Sequence, residues 1–164
     1  MNRPKDIGAP PGTLFYTGEQ TGPVKMTLIE FNEQEFFERE FFDLSQCLQH
    51  MRADMVKWIN VEGVHDLQLI ENMGKIFDLH PLTLEDIVHI EQRPKFEDYD
   101  HYLLTVMKMI QYSDHTESEQ LSLVLLDNMV ISFQEPQGGD AFDIIRERLR
   151  QGKGRVRKSS SDYL

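Results

Sequence analysis

Adjacent carboxylates at Glu85 and Asp86 are the residues of this chain best suited to chemistry. They lie in an amphipathic stretch, His80-Pro-Leu-Thr-Leu-Glu-Asp-Ile-Val-His-Ile90, closed by Arg93-Pro94. Hard cations such as Mg²⁺ take oxygen ligands and keep several waters, so one or two carboxylates per partner suffice. Helix neighbours project about 100° apart, so this pair does not easily chelate one ion unaided. The same acids also suit a solvated site near a helix N-terminus, where the dipole favours negative charge. On residue types alone the solvated reading outweighs the ligand reading. A second acidic run, Glu97-Asp-Tyr-Asp100, is mixed with aromatics and reads as the start of a strand with its acids on the wet face. Glu91, Glu97 and Asp98 read as surface partners of Arg93 and Lys95, ion pairs of little net worth.

Other chemistries find little support. The histidines are His50, His65, His80, His89, His101 and His115, and none shows the i, i+4 pairing of a zincin-type site. His80 precedes Pro81 and suits a helix start, while His89 is one turn from Glu85. There is no G-x-S-x-G, P-loop or G-x-G-x-x-G, so the chain reads as a non-enzyme. The single cysteine, Cys47, excludes an internal disulfide and a cysteine-rich zinc site, and fits a reducing compartment.

The formal charge of −11 argues against nucleic acid and anionic membrane surfaces, and for cations or basic partners. It is uneven. Residues 141–158 carry seven Lys/Arg against two acids, a local +5, so the rest carries −16. The N-terminus lacks a signal-peptide h-region, and no run approaches the ~20 apolar residues that span a bilayer.

The elements that must position these groups follow from patterning. Residues 1–22, with three prolines and four glycines, read as a flexible tail. Strands are expected at 24–31 and 55–61, then at 102–110, 119–126 and 129–133, with Asp127-Asn128 as a tight turn. Helices are expected at 43–51 with Asp43 as cap, from Asp66 through 77, and from Pro81 to 90. Gly138-Gly-Asp140 is expected to cap a basic amphipathic helix over 141–151. The order predicts an α/β fold, a mixed β-sheet flanked by helices in α/β/α layers. Residues 23–158 make the domain, and 159–164 read as the start of a further helix.

His80-Pro-Leu-Thr-Leu-Glu-Asp-Ile, Gln92-Arg-Pro-Lys-Phe-Glu-Asp-Tyr and Glu117-Ser-Glu-Gln-Leu-Ser-Leu-Val-Leu occur in an order and spacing that resemble the cytoplasmic domain of CorA-type magnesium/cobalt channels. Arg146-Glu-Arg-Leu-Arg150 and Asp162-Tyr-Leu164 continue the likeness, which runs from about residue 13 to the end. The resemblance implies a homopentamer in a cell inner membrane, with this domain on the cytoplasmic side. It implies that residues 159–164 begin a stalk helix, with the membrane helices and Gly-Met-Asn pore signature beyond this chain. It also implies Glu85, Asp86 and Asp162 as ligands of intersubunit Mg²⁺ sites, with Co²⁺ or Ni²⁺ as other ions, gating the pore. Their partner is a stalk aspartate beyond Leu164, so this chain alone is expected to be a monomer or weak oligomer. The competing readings are a freestanding acidic binding module without a transport role and, more remotely, a metal-dependent hydrolase using Glu85 and Asp86.

Overall fold

The computed structural model describes residues 10–112, 116–135, 142–152 and 154–164. Its strands are β1 (Lys25–Phe31), β2 (Phe36–Phe41), β3 (Val56–Glu62), β4 (Lys95–Asp98), β5 (Leu103–Tyr112), β6 (Thr116–Leu126) and β7 (Met129–Gln134). They form one sheet in the order β2-β1-β3-β7-β6-β5-β4. β3 and β7 run parallel and the other neighbours antiparallel, so the sheet is mixed, as the element order predicts. Leu126 pairs with Met129 across Asp127-Asn128, the expected tight turn.

Period-two patterning divides the core into two. Met26, Leu28, Ile59, Val61, Leu104, Val106, Val124, Ile131 and Phe133 face one side of the sheet. There they meet Cys47 of α1 (Leu44–Gln49), Ile70 and Met73 of α2 (Leu67–Ile76), and Ile87 and Val88 of α3 (Pro81–Val88). Ile29, Phe31, Trp58 and Leu121 face the other side and meet Leu149 of α4 (Asp143–Gln151) together with Phe142. The result is three layers, α/β/α. β1 and β3 contribute side chains to both clusters, so both of their faces are covered.

Helix starts follow the expected chemistry. Asp43 accepts from the Gln46 amide at 3.0 Å and Asp66 from the Leu69 amide at 3.0 Å, caps worth ~1 kcal/mol each. His80 caps α3 by accepting from the Leu82 amide at 3.2 Å, ahead of Pro81. Gly138-Gly-Asp140 lies outside the described residues, and α4 starts after Phe142 without a side-chain cap.

β2 is an element that apolar alternation does not announce. It is an edge strand rich in charge, and charge is how an edge discourages pairing with another chain. Its Glu38 receives Arg150 of α4 through two hydrogen bonds of 2.8 and 2.9 Å, tying the basic helix to the sheet edge. Among the described residues of the basic segment, Arg148, Arg150, Arg155 and Lys158 remain largely exposed.

Residues 12–17, expected within a flexible tail, lie across the helical layer. Leu14 and Tyr16 pack on the larger core cluster, the Ile90 amide donates to Thr17 Oγ1 at 3.1 Å, and Tyr16 donates to Glu135. Residues 1–9 lie outside the described residues.

Candidate functional site

α3 is the platform of the site. Leu84, Ile87 and Val88 are buried beneath it, each contributing ~1.5–3 kcal/mol of apolar burial. Its first turn is held by Tyr102, the residue before β5. The Tyr102 hydroxyl accepts from the His80 amide at 3.0 Å and shares a 2.7 Å hydrogen bond with Thr83 Oγ1. Its last turn leaves carbonyls without helical partners. Gln120 of β6 donates to the Asp86 carbonyl at 2.9 Å, and Lys108 of β5 donates to the Ile90 carbonyl at 2.8 Å. Both ends of this short helix are therefore fixed by side chains from the sheet, so the carboxylates it carries have defined directions.

Glu85 and Asp86 diverge, as the helical angle requires. Glu85 is half-buried and accepts from the Gly12 amide at 2.6 Å, so it faces the crossing N-terminal segment. Asp86 is only 7% exposed and is ion-paired to Lys95 of β4. Asp86 is therefore not on the open surface of the domain. The strand after Pro94 folds back over the helix and places an ammonium on the carboxylate.

The Asp86–Lys95 pair is buried on one side and charged. Burial, the largest influence on Asp86, pushes its carboxyl up against the pull of Lys95. Burial also opposes charge on Lys95, but hydrogen bonds and charges from Asp86 and Glu97 outweigh it and hold the ammonium above the usual lysine range. An ammonium seated on a carboxylate needs both groups ionised at neutral pH, so the Lys95 shift is the one that characterises the pair. Glu97 lies 3.2 Å from Lys95 Nζ and accepts from the Tyr99 hydroxyl at 2.7 Å. Tyr99 stacks on Tyr102 with ring centroids 4.8 Å apart, which closes the network onto the α3 start.

Asp162 lies elsewhere. It is exposed in a three-residue 3₁₀ turn, Ser161–Tyr163, where the Ser160 hydroxyl donates to it. It borders a depression of about 340 Å³ together with Asp100, Asp127 and Tyr102. Ser161 anchors the turn by donating to the carbonyls of Leu126 and Asp127, at 3.2 and 3.1 Å. Neither Glu85 nor Asp86 lines that depression. Among the described residues no three His, Cys, Asp or Glu side chains gather to hold a metal. Oxygen donors of this kind suit a hard divalent ion, but among the described residues of one copy they do not converge into a complete site.

Sequence reasoning missed Gly12 and Lys95 as partners of the two carboxylates. Lys95 carries no signal on its own, since the pairing with Asp86 depends on the turn of the chain between α3 and β4. Gly12 has a faint one, a glycine after two prolines, which marks a turn.

A seven-stranded mixed sheet with helices on both faces, and with the acidic helix α3 between β3 and β4, defines an α/β domain. The chain belongs to the family of CorA-like Mg²⁺ transporter proteins, whose family model matches residues 53–162. It is 40% identical to the cobalt/magnesium transport protein CorA of Thermotoga maritima over 160 residues, 96% of this chain and 45% of that protein. The chain thus spans less than half of that relative's length. Among solved structures it resembles the full-length CmaX protein, with TM-score 0.62 and 15% identity over 84% of this chain and 42% of that one. It also resembles the complete CorA magnesium transporter of Methanocaldococcus jannaschii, with TM-score 0.53 and 12% identity over 78% of this chain and 37% of that one. These two likenesses carry the fold alone. Among the described residues no helix is long and apolar enough to cross a membrane.

Proposed function

We propose that this chain is the cytoplasmic, ion-sensing part of a divalent-cation transporter that carries Mg²⁺ or Co²⁺ as a homopentamer. Glu85, Asp86 and Asp162 each contribute to sites completed by a neighbouring subunit. The observation that carries the reading is the division of the ligands. α3 is rigidly held yet directs its two carboxylates apart, and among the described residues one copy collects no complete ligand set. Family membership and the cobalt/magnesium transport name of the Thermotoga relative supply the ion class.

The physics of such a sensor is simple. Carboxylates facing one another across a subunit boundary repel, and a divalent ion bridging them favours the arrangement that brings them together. The ion shifts the gating equilibrium by its differential affinity for that arrangement. The acidic surface of the domain concentrates cations nearby.

The test is Mg²⁺-dependent closure in the full-length protein reconstituted in liposomes. Asp86→Asn and Asp162→Asn should each move the half-closing internal Mg²⁺ upward, with conduction retained. A double variant whose Mg²⁺ inhibition matches wild type would overturn the reading. In this chain alone, isothermal titration should find Mg²⁺ binding only in the millimolar range, and tight binding by a monomer would count equally against shared sites.

A further inference from the structure

We infer that Lys95 is a tethered counter-cation that competes with the divalent ion for Asp86 and so sets the ion concentration to which the domain responds. The inference rests on the reading of Asp86 as a ligand. It begins from geometry. Asp86 is nearly buried, and the ammonium of the less buried Lys95 sits on its Oδ2. A buried carboxylate without a cation would be costly, so some positive group must accompany it in every state. Lys95 fills that role when no ion is present.

The surroundings make the ammonium displaceable. Lys95 has a second acceptor, Glu97 Oε1 at 3.2 Å, on its own strand two residues away. Glu97 is itself steadied by the Tyr99 hydroxyl at 2.7 Å. An ion arriving at Asp86 therefore leaves Lys95 a resting place, with no loss of its charge and no unfolding. Lysine suits this exchange, since its ammonium is a point charge on a flexible stem, whereas arginine would grip the carboxylate with two parallel donors. The competing state lowers the apparent affinity of the ion by the fraction of molecules in which Asp86 is free. If Lys95 holds Asp86 in nine-tenths of them, its removal tightens the response by about tenfold.

The experiment uses the full-length protein in detergent, at constant ionic strength, with MgCl₂ as the only divalent salt. The readout is the Mg²⁺ midpoint for protection from trypsin, with thermal unfolding in the absence of Mg²⁺ recorded for each variant. Lys95→Gln should lower the midpoint by about threefold to tenfold. Lys95→Arg keeps the charge and the fold, and its midpoint should stay at or above wild type. A Lys95→Gln midpoint equal to or above wild type, while Asp86→Asn raises the midpoint, overturns the competition and leaves Asp86 as a ligand. A fall in Lys95→Arg also overturns it, even where Lys95→Gln proves too unstable to measure. An Asp86→Asn midpoint equal to wild type removes the site itself, and the competition with it.

Discussion

Ser132→Ala is a sensitive probe of how the sheet is locked, because one hydroxyl serves two buried partners. Ser132 on β7 is 0% exposed. Its Oγ accepts from Trp58 Nε1 at 2.8 Å and donates to Asn60 Oδ1 at 2.6 Å. Both partners lie on β3, where Asn60 stands opposite Ser132 in the parallel pairing that joins the two halves of the sheet. The Trp58 ring also packs edge-on against Phe142 with centroids 5.1 Å apart, so the network supports the α4 layer too. Alanine leaves the indole N–H without its acceptor and the amide oxygen without its donor. A buried polar group left unsatisfied costs ~1–3 kcal/mol, so the loss should total about 2–4 kcal/mol after some relaxation. That is a large part of the ~5–15 kcal/mol that holds a domain folded. At roughly 2–4 °C per kcal/mol for a domain of this size, Tm should fall by about 5–15 °C. Trp58 is the only tryptophan, so urea unfolding followed by its fluorescence reports on the site directly. The m-value should not change, since the surface exposed on unfolding is the same. In a Trp58→Phe background, followed by circular dichroism, the penalty should shrink by about 1 kcal/mol or more, because the indole donor is already gone. A Ser132→Ala loss below about 0.5 kcal/mol, or fully additive losses in the double variant, would refute the network as the lock between β3 and β7.

Two further predictions test other parts of the fold. Gly12 has φ +84° and a Cβ there would lie 2.8 Å from Pro81 Cβ, so Gly12→Ala should cost ~1–2 kcal/mol in backbone strain and loosen the crossing segment. Hydrogen exchange should then quicken at the Ile90 amide, which donates to Thr17, but not at mid-α2 amides; unchanged exchange at Ile90 would refute the docking. Burial, assisted by the charge of Glu30, pushes the Cys47 thiol from 9.0 up to about 11. The folded state therefore prefers the neutral thiol, and its contribution to stability is complete below pH 9 and lost as pH rises from 9 to 11. Thermal melts of wild type should fall more steeply over that window than those of Cys47→Ala, and parallel curves would contradict the shift.

Much of the fold was legible because it rests on period and punctuation. The alternation in 102–110, 119–126 and 129–133, with Asp127-Asn128 between the last two, requires neighbouring antiparallel strands once one face is buried. The caps at Asp43, Asp66 and His80 and the position of Pro81 are local chemistry, decided within four residues. The edge strand β2 was not legible, because Glu38, Arg39 and Glu40 mask its strand character and its pairing depends on β1. The acidity of Glu85-Asp86 and the order of the motifs around it were plain in the sequence, as was the divergence of the two side chains. Their partners were not. Lys95 reaches Asp86 only because α3 ends at Val88 and the chain turns so that β4 returns beside it, and Gly12 reaches Glu85 across 73 residues. Asp162 meets Asp100 and Asp127 for the same reason, three distant turns brought to one end of the sheet. A sequence states which groups carry charge and which face of an element they occupy. Which charge neutralises which is decided by long-range pairing, since electrostatic contact depends on distance in space and on burial, and neither is set by spacing along the chain.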